Sequence, residues 1–299
     1  MTSEQKQFIR ECRDRYLGDL KENIMPFWLK YGLDRENGGV YTCLDRDGTL
    51  MDTTKSVWFQ GRFGFICAYA YNNVEKNPEW LAASKSCIDF SNAHCFDTDG
   101  HMFFTVTGDG KPVQKRRYVF SECFAIIAMA EYALASGDMT YAEKALELFH
   151  RPRKMPATPG LLPPKTPQTG YSHSIPMMFF NVVLVLKKVI NDPELDAQLA
   201  ESLRILKDKL ISEEYKTILE SVDEDGHLVD TIAGRVINPG HCIETAWFLI
   251  DAAPLYPDPQ AVRELGVKIF DWDYKWGWDE QYGGIINFRD CRNFPPQDY

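Results

Sequence analysis

Helical segments alternate along this chain with short loops rich in aspartate and glycine, and this alternation is what most limits the possible folds. Seven segments carry apolar residues at helical spacing: 4–31, 56–74, 81–96, 120–135, 141–149, 177–190 and 195–210. Four intervening loops have the composition of β-turns: 34–48, 97–110, 223–226 and 278–288. A helix, hairpin-loop, helix unit repeated in this way is typical of stacked architectures. It predicts an all-α fold, an α/α toroid whose hairpins and helix starts line a cup.

One segment interrupts the pattern. Residues 151–176 contain seven prolines, which predicts a loop and not a core element. No other change of composition divides the chain, so we expect a single domain spanning 1–299. A hydrophobic content of 44% is enough for a core of that size.

Charge and cysteine usage restrict the class of partner. The net charge of −10 argues against a nucleic-acid binder, which would need a basic face. The apolar runs are too short for a transmembrane helix, and the polar N-terminus does not resemble a signal peptide. Eight cysteines are scattered without Cys-x-x-Cys pairs. This favours reduced thiols in a cytoplasmic protein over disulfides or a metal site.

The strongest candidate for chemistry is the helix start at Asn238-Pro239-Gly240-His241. Asparagine is a good N-cap, and proline suits the first helical position. His241 then lies in the first turn, on the same face as Glu244. The helix N-terminus disfavours an imidazolium, whereas Glu244 favours it and can fix the tautomer. A neutral imidazole suits a general base. The alternative is a capped helix with a half-buried histidine.

Two other predicted helices begin with polar residues. Trp58 and Arg62 are four positions apart and share a face. The arginine can hold a sugar oxygen or a developing enolate, or it can simply stack on an aromatic ring. Glu122 also lies at a helix start, where it can merely complement the helix dipole.

Two further residues lie near or within an apolar run. Asn181 lies inside the run 177–183, so it needs a partner, either a ligand or a backbone group. His173, in the proline-rich segment, is predicted to be solvated and not catalytic. The sequence has no P-loop, Gly-x-Gly-x-x-Gly, Gly-x-Ser-x-Gly or His-Glu-x-x-His motif. This leaves acid–base chemistry on an organic substrate as the natural enzymatic interpretation.

Five motifs occur in a characteristic order. They are Trp58-Phe59-Gln60-Gly61-Arg62, Phe120-Ser121-Glu122-Cys123-Phe124, Pro176-Met177-Met178 with Asn181, Asn238-Pro239-Gly240-His241 with Glu244, and Gly277-Trp278-Asp279 with Gly283-Gly284. Over nearly its whole length the chain resembles the N-acylglucosamine 2-epimerase, or renin-binding protein, family. The resemblance implies an (α/α)6 barrel with short β-hairpins in its loops.

The resemblance also implies a reaction. The family interconverts N-acetylglucosamine and N-acetylmannosamine in sialic-acid metabolism, and cellobiose 2-epimerases are relatives. The proton at C2 of the open-chain amino sugar is removed and returned. By resemblance, the catalytic residues are His241, Glu244 and Arg62. The residues that line the sugar site are Trp58, Gln60, Glu122 and Asn181. Mammalian members are homodimers activated by ATP, so we expect a homodimer, ATP as a possible allosteric activator and renin as a possible partner.

The sequence departs from the family at its end. Family members continue beyond the position of Tyr299, and that part carries a second catalytic histidine and a tryptophan-rich motif. We therefore expect 1–299 to be a C-terminally truncated barrel that is aggregation-prone or dimer-dependent and does not complete the epimerisation. The alternatives are a non-catalytic member that binds a protein such as renin, and an α/α-barrel glycoside hydrolase using Glu122 and Glu244 as its two carboxylates.

Overall fold

The computed structural model describes residues 1–115, 119–154 and 170–295, and most of them are helical. The chain forms two compact units. Unit 1 comprises Met1–Thr158 with Lys188–Ile190, and unit 2 comprises Pro159–Lys187 with Asn191–Tyr299.

Unit 1 begins with a long helical run that confirms the helix predicted over 4–31. Its parts are α1 (Ser3–Asp19), a widened π-helical stretch (Leu20–Ile24), α2 (Met25–Phe27) and a second π-helical stretch (Trp28–Gly32). The other helices of the unit are α3 (Val57–Asn73), α4 (Pro78–His94), α5 (Phe120–Ser136) and α6 (Thr140–Lys154). Asn77 explains why α4 starts earlier than its apolar pattern, because its side chain caps the helix by accepting a hydrogen bond from the amide of Glu79.

The strands of unit 1 are short; two of them lie within the predicted hairpin loops 34–48 and 97–110, and the other three follow just after those loops. The strands are β1 (Cys43–Leu44), β2 (Leu50–Asp52), β3 (Lys55–Ser56), β4 (Thr105–Val106) and β5 (Pro112–Gln114). β1 pairs with β2, and β3, β4 and β5 form a three-stranded antiparallel sheet. Because β3 leads directly into α3, this sheet fixes where that helix begins.

The helices of unit 1 pack closely around α3. At Gly61 a Cβ atom would lie 2.6 Å from the backbone carbonyl carbon of Phe124 on α5, so only glycine permits this approach. On another side of α3, Cys67 and Ala70 pack in a buried cluster with Met25, Trp80 and Ala83.

In the described part of unit 2, four α-helices follow the same plan. They are α7 (Ser174–Leu186), α8 (Pro193–Ile205), α9 (Pro239–Ala252) and α10 (Pro259–Gly277), with a π-helical stretch at Leu206–Leu210 and a 3-10 turn at Ala253–Leu255. The strands are β6 (Tyr171–Ser172), β7 (Ile211–Ser212), β8 (Thr217–Ile218), β9 (Ser221–Val222), β10 (Val236–Ile237) and β11 (Arg289–Asp290). The antiparallel pairs are β6 with β9, β7 with β8, and β10 with β11.

The proline-rich segment is only partly described. Residues 151–154, predicted to be loop, extend α6, and residues 174–176 form the first turn of α7. Residues 155–169 lie outside the described residues. Among the helices of the described part, none has both the length and the apolar composition that crossing a membrane requires.

Candidate active site

His241 lies in the first turn of α9, as the sequence predicts. The side chain of Asn238 caps the helix by accepting a hydrogen bond from the backbone amide of His241 at 3.1 Å. Pro239 occupies the first turn, where its missing N–H leaves no acceptor unpaired. The imidazole remains 37% exposed, so a solute can reach it.

The carboxylate that holds His241 is Glu220. Its Oε1 lies 2.9 Å from Nδ1 of His241. Glu220 lies between β8 and β9, and its side chain is only 5% exposed. Burial alone would raise the pKa of this carboxyl, but its hydrogen bonds with His173 and His241 outweigh burial and hold the pKa of Glu220 well below its ordinary value. Glu220 is therefore ionised at neutral pH.

An ionised acceptor fixes the tautomer of the neutral imidazole. Because a carboxylate can only accept a hydrogen bond, Nδ1 of His241 must carry the proton. Nε2 then keeps a free lone pair on a ring that is partly exposed. This is the arrangement that a general base requires.

His173 binds the same carboxylate and is completely buried. Its Nδ1 lies 3.4 Å from Oε1 of Glu220, and its Nε2 lies 2.8 Å from Oγ1 of Thr245. The prediction that His173 is solvated is therefore wrong. The residue begins α7 directly after β6, and the pairing of β6 with β9 places it beside Glu220.

Thr245, the hydrogen-bond partner of His173, lies on α9 together with His241. It lies one helical turn after His241 and is fully buried. Hydrogen bonds thus run from His241 to Glu220, on to His173 and back to Thr245. We call these four residues the histidine–glutamate cluster.

Two predicted site residues of unit 2 lie outside this cluster. Glu244 is partly buried on α9, but the carboxylate hydrogen-bonded to His241 is Glu220, which corrects the expectation that Glu244 fixes the tautomer. Asn181 lies in the middle of α7 and is also partly buried.

Two predicted site residues of unit 1, Trp58 and Arg62, lie one turn apart on α3. The guanidinium of Arg62 stacks on the ring of Phe124, with its carbon 4.3 Å from the ring centroid, and not on Trp58. Trp58 makes edge contacts with Phe104 and Phe120, and its buried Nε1 has no hydrogen-bond partner among the described residues.

Gln60 and Glu122 are both fully buried in unit 1. The amide of Gln60 forms two hydrogen bonds with the backbone of Val40, at 2.8 and 2.7 Å, so it ties the first hairpin loop to α3. This is a structural role, and the expectation that Gln60 lines the sugar site stays a prediction. Glu122 accepts a hydrogen bond from the amide of Met102 at 2.9 Å, and burial raises the pKa of its carboxyl. His101 approaches the same oxygen at 3.5 Å.

The sequence contained a signal for Glu220 that spacing arguments did not use. Glu220 lies in the segment Ile218-Leu219-Glu220-Ser221-Val222, where its neighbours are apolar or small. A carboxylate buried among such residues needs a partner, and a histidine is one of the few that can provide it.

Comparison with known proteins supports an epimerase. The model of the family described as N-acylglucosamine 2-epimerase (GlcNAc 2-epimerase) matches residues 39–299. The chain is 34% identical to N-acylglucosamine 2-epimerase of Rattus norvegicus over 295 residues, which cover 94% of this chain and 69% of the relative. It is 33% identical to the enzyme of the same name from Bos taurus, over 98% of this chain and 71% of the relative.

A solved structure shows the fold. Cellobiose 2-epimerase from Spirochaeta thermophila superposes with a TM-score of 0.82 at 20% identity, over 98% of this chain and 76% of that chain. This likeness confirms the predicted fold class, an (α/α)6 barrel with few, short strands. Taken with the family model and the identities to the rat and bovine enzymes, it shows that this chain belongs to the N-acylglucosamine 2-epimerase family of carbohydrate epimerases.

Proposed function

We propose that this chain is an isomerase that interconverts N-acetylglucosamine and N-acetylmannosamine at C2 of the open-chain sugar. The observation that carries the proposal is the His241–Glu220 pair, a partly exposed imidazole held at Nδ1 by a buried, ionised carboxylate. The names of the rat and bovine relatives support the choice of an N-acylated substrate.

The chemistry requires one proton to leave C2 and another to return. In the open-chain form the C1 aldehyde acidifies the C2 hydrogen, so a base of moderate strength can remove it. Nε2 of His241 takes this proton, the electron pair of the C–H bond forms a C1=C2 double bond, and the electrons of the C1 carbonyl move to O1 to give an enolate. Glu220 stabilises the imidazolium that results, because the positive charge forms beside its carboxylate. Inversion requires that an acid on the opposite face returns a proton to C2 as the enolate reverts to the C1 aldehyde.

By family resemblance, we assign the stabilisation of the negative charge that develops on the enolate to Arg62, an exposed residue in the second turn of α3. Arg62→Lys keeps the charge but loses the planar fork. We expect kcat to fall more than KM rises, and steady-state kinetics measure this ratio. A change in KM alone would make Arg62 a residue that binds the ground state.

The experiment follows hydrogen exchange at C2. Purified protein is incubated with N-acetylglucosamine in D2O, and NMR detects deuterium at C2 and the formation of N-acetylmannosamine. In the His241→Asn variant the side-chain amide can replace Nδ1 as a donor to Glu220, whereas the base at Nε2 is lost. We expect a folded variant whose C2 exchange falls to background.

The control is His227→Asn, because His227 is 77% exposed and contacts only the nearby Asp223 among the described residues. We expect this variant to exchange C2 at the unmodified rate. Exchange that persists in folded His241→Asn would remove His241 from the reaction. Exchange at C2 of cellobiose but not of N-acetylglucosamine would show that the substrate is the disaccharide named for the cellobiose 2-epimerase relatives and not the amino sugar.

A further inference from the structure

The backbone places His173 and Glu220 next to each other before their side chains interact. Ser172 of β6 pairs with Ser221 of β9 in an antiparallel register. The next pair along this ladder is His173 with Glu220, and the amide of His173 donates to the carbonyl of Glu220 at 3.0 Å. Directly opposed residues of an antiparallel pair point their side chains to the same face. The contact between the imidazole and the carboxylate therefore follows from the ladder.

Only one neutral tautomer of His173 fits its contacts with the side chains of Glu220 and Thr245. Nδ1 faces an ionised carboxylate, so this nitrogen carries the proton. Nε2 then accepts the hydrogen bond from the hydroxyl of Thr245 at 2.8 Å. The hydroxyl of Thr245 thus fixes the orientation of the imidazole at Nε2, and the N–H at Nδ1 donates to the carboxylate of Glu220.

Oε1 of Glu220 accepts hydrogen bonds from both imidazoles. It lies 2.9 Å from Nδ1 of His241 and 3.4 Å from Nδ1 of His173. Two donors that converge on one oxygen oppose rotation of the carboxylate about its side-chain torsions. His173 is 0% exposed, so it cannot itself take a proton from a substrate.

We propose that His173 is a positioning residue, which together with Thr245 holds Oε1 of Glu220 against Nδ1 of His241 and so keeps His241 in the tautomer with a free Nε2. This role rests on the proposed function, because the free Nε2 matters only if His241 acts as a base. The residue touches no substrate and acts through Glu220.

The test measures the tautomer of His241 without any substrate. Protein labelled with 15N-histidine is studied by two-bond 1H–15N correlation NMR over a range of pH, and the His241 signals are identified by their loss in His241→Asn. In the unmodified protein we expect the neutral ring to show the pattern of an Nδ1–H tautomer. In His173→Phe, which keeps the ring shape but removes both nitrogens, we expect a mixture of the two tautomers. The signals of exposed His227 serve as an internal reference.

Two further variants separate positioning from packing. In His173→Asn the side-chain amide can take the place of Nδ1 and donate to Glu220, so we expect the Nδ1–H tautomer of His241 to persist. In Thr245→Val the shape is preserved but the hydroxyl is lost, so we expect the tautomers to mix. If His173 only filled space, the tautomers of His241 should mix in His173→Asn, which leaves a gap in the packing. They should not mix in Thr245→Val, which preserves the shape.

Activity provides a second readout. We expect kcat of His173→Phe to fall about 10- to 100-fold with little change in KM, which is the size of effect that a small misplacement of catalytic groups produces. We expect His173→Asn to recover most of this loss. If folded His173→Phe keeps both the Nδ1–H tautomer of His241 and its kcat, the proposal is overturned. If that variant does not fold, an unchanged tautomer in Thr245→Val overturns it instead.

The two proposals fail in different ways. A protein that does not exchange C2 of any sugar, yet shows the tautomer change in His173→Phe, would refute the proposed reaction and leave the positioning role intact. Normal epimerisation with a tautomer that is insensitive to both His173→Phe and Thr245→Val would refute only the positioning role.

Discussion

Glu220 determines whether His241 can act as a base, and a single-atom change tests this. In Glu220→Gln the side chain keeps its size but can turn its amide N–H towards Nδ1 of His241. The imidazole then shifts to the tautomer whose Nε2 is protonated and cannot accept a proton. We expect kcat for C2 exchange to fall by about 10²- to 10⁴-fold, as in other imidazole–carboxylate pairs that lose the correct tautomer.

Glu244→Gln is the matched variant, on the same helix face one turn away from His241. We expect a smaller loss there, because Glu244 is not the carboxylate bonded to Nδ1. Equal losses in the two variants would contradict the assignment of Glu220 as the orienting carboxylate. Kinetics of C2 exchange in D2O measure both.

At this scale the sequence predicted single residues well and their partners poorly. The asparagine–proline helix start placed His241 correctly, because capping is local and needs only four adjacent residues. Glu244 was chosen as its partner because it was the carboxylate in reach along the helix. Glu220 was not considered and His173 was wrongly predicted to be solvated, since the β6–β9 ladder that joins them connects positions far apart in sequence. Periodicity carries no information about such a pairing.

Among the elements, α3 and α5 approach each other at a glycine. In Gly61→Ala the new Cβ would lie 2.6 Å from the carbonyl carbon of Phe124, and backbone cannot yield as a flexible side chain does. We expect the variant to lose about 1–3 kcal/mol of unfolding free energy. Gly18→Ala is the control, because that helical position has open space around it, and there we expect a gain of about 0.5–1 kcal/mol. Urea unfolding measures both free energies. A loss of unfolding free energy in Gly18→Ala as large as that in Gly61→Ala would contradict the packing argument.

Helix α10 carries a buried acid that makes unit 2 sensitive to pH. Burial raises the pKa of Asp273 from 3.8 to about 7, although the hydroxyl of Thr217 donates to its carboxyl at 2.5 Å. Between these values the folded protein holds a proton that the unfolded chain has lost. Unfolding free energy therefore falls as pH rises through this window.

Asp273→Asn should remove this dependence, because the amide is never charged. As pH rises from 4 to 8, we expect the unfolding free energy of the variant to increase by about 2–4 kcal/mol relative to that of the unmodified protein. Urea unfolding at several pH values gives the difference. A difference that does not change with pH would show that Asp273 titrates normally.

At the scale of elements the sequence succeeded for helices and less well for strands. Most of the seven helical segments were identified because they bury one face, and burial imposes the helical period. The exception is α1, whose apolar residues have helical spacing although none of its residues is buried. The loop 278–288 was predicted to be a hairpin. It contains only an isolated bridge between Trp278 and Ile285, and the nearby strand β11 pairs with β10 instead.

For the whole molecule, the exposed apolar surface predicts association between copies. Along α10 the exposed residues Val267, Phe270 and Tyr274 form one strip, in which the rings of Phe270 and Tyr274 stack 5.7 Å apart. Such strips favour contact with other apolar surfaces. We expect the sedimentation coefficient to rise with protein concentration and Phe270→Ser to reduce this rise. Lys275→Ser, on the same helix but charged, is the control and should have no such effect. The homodimer expected from the family resemblance remains a prediction that the same measurement tests.

The closed path of hydrogen bonds through the histidine–glutamate cluster also affects how the protein regains activity after denaturation. His173 and Thr245 are 72 positions apart in sequence, and Glu220 is 47 positions from His173. Contacts of such large sequence separation close late, because long segments of chain must first be ordered. Helical circular dichroism should therefore recover before C2 exchange in a refolding time course. The delay between the two signals would measure how long the helices exist before His241 is oriented as a base. Recovery of enzymatic activity would then report the rate of the last folding step in unit 2.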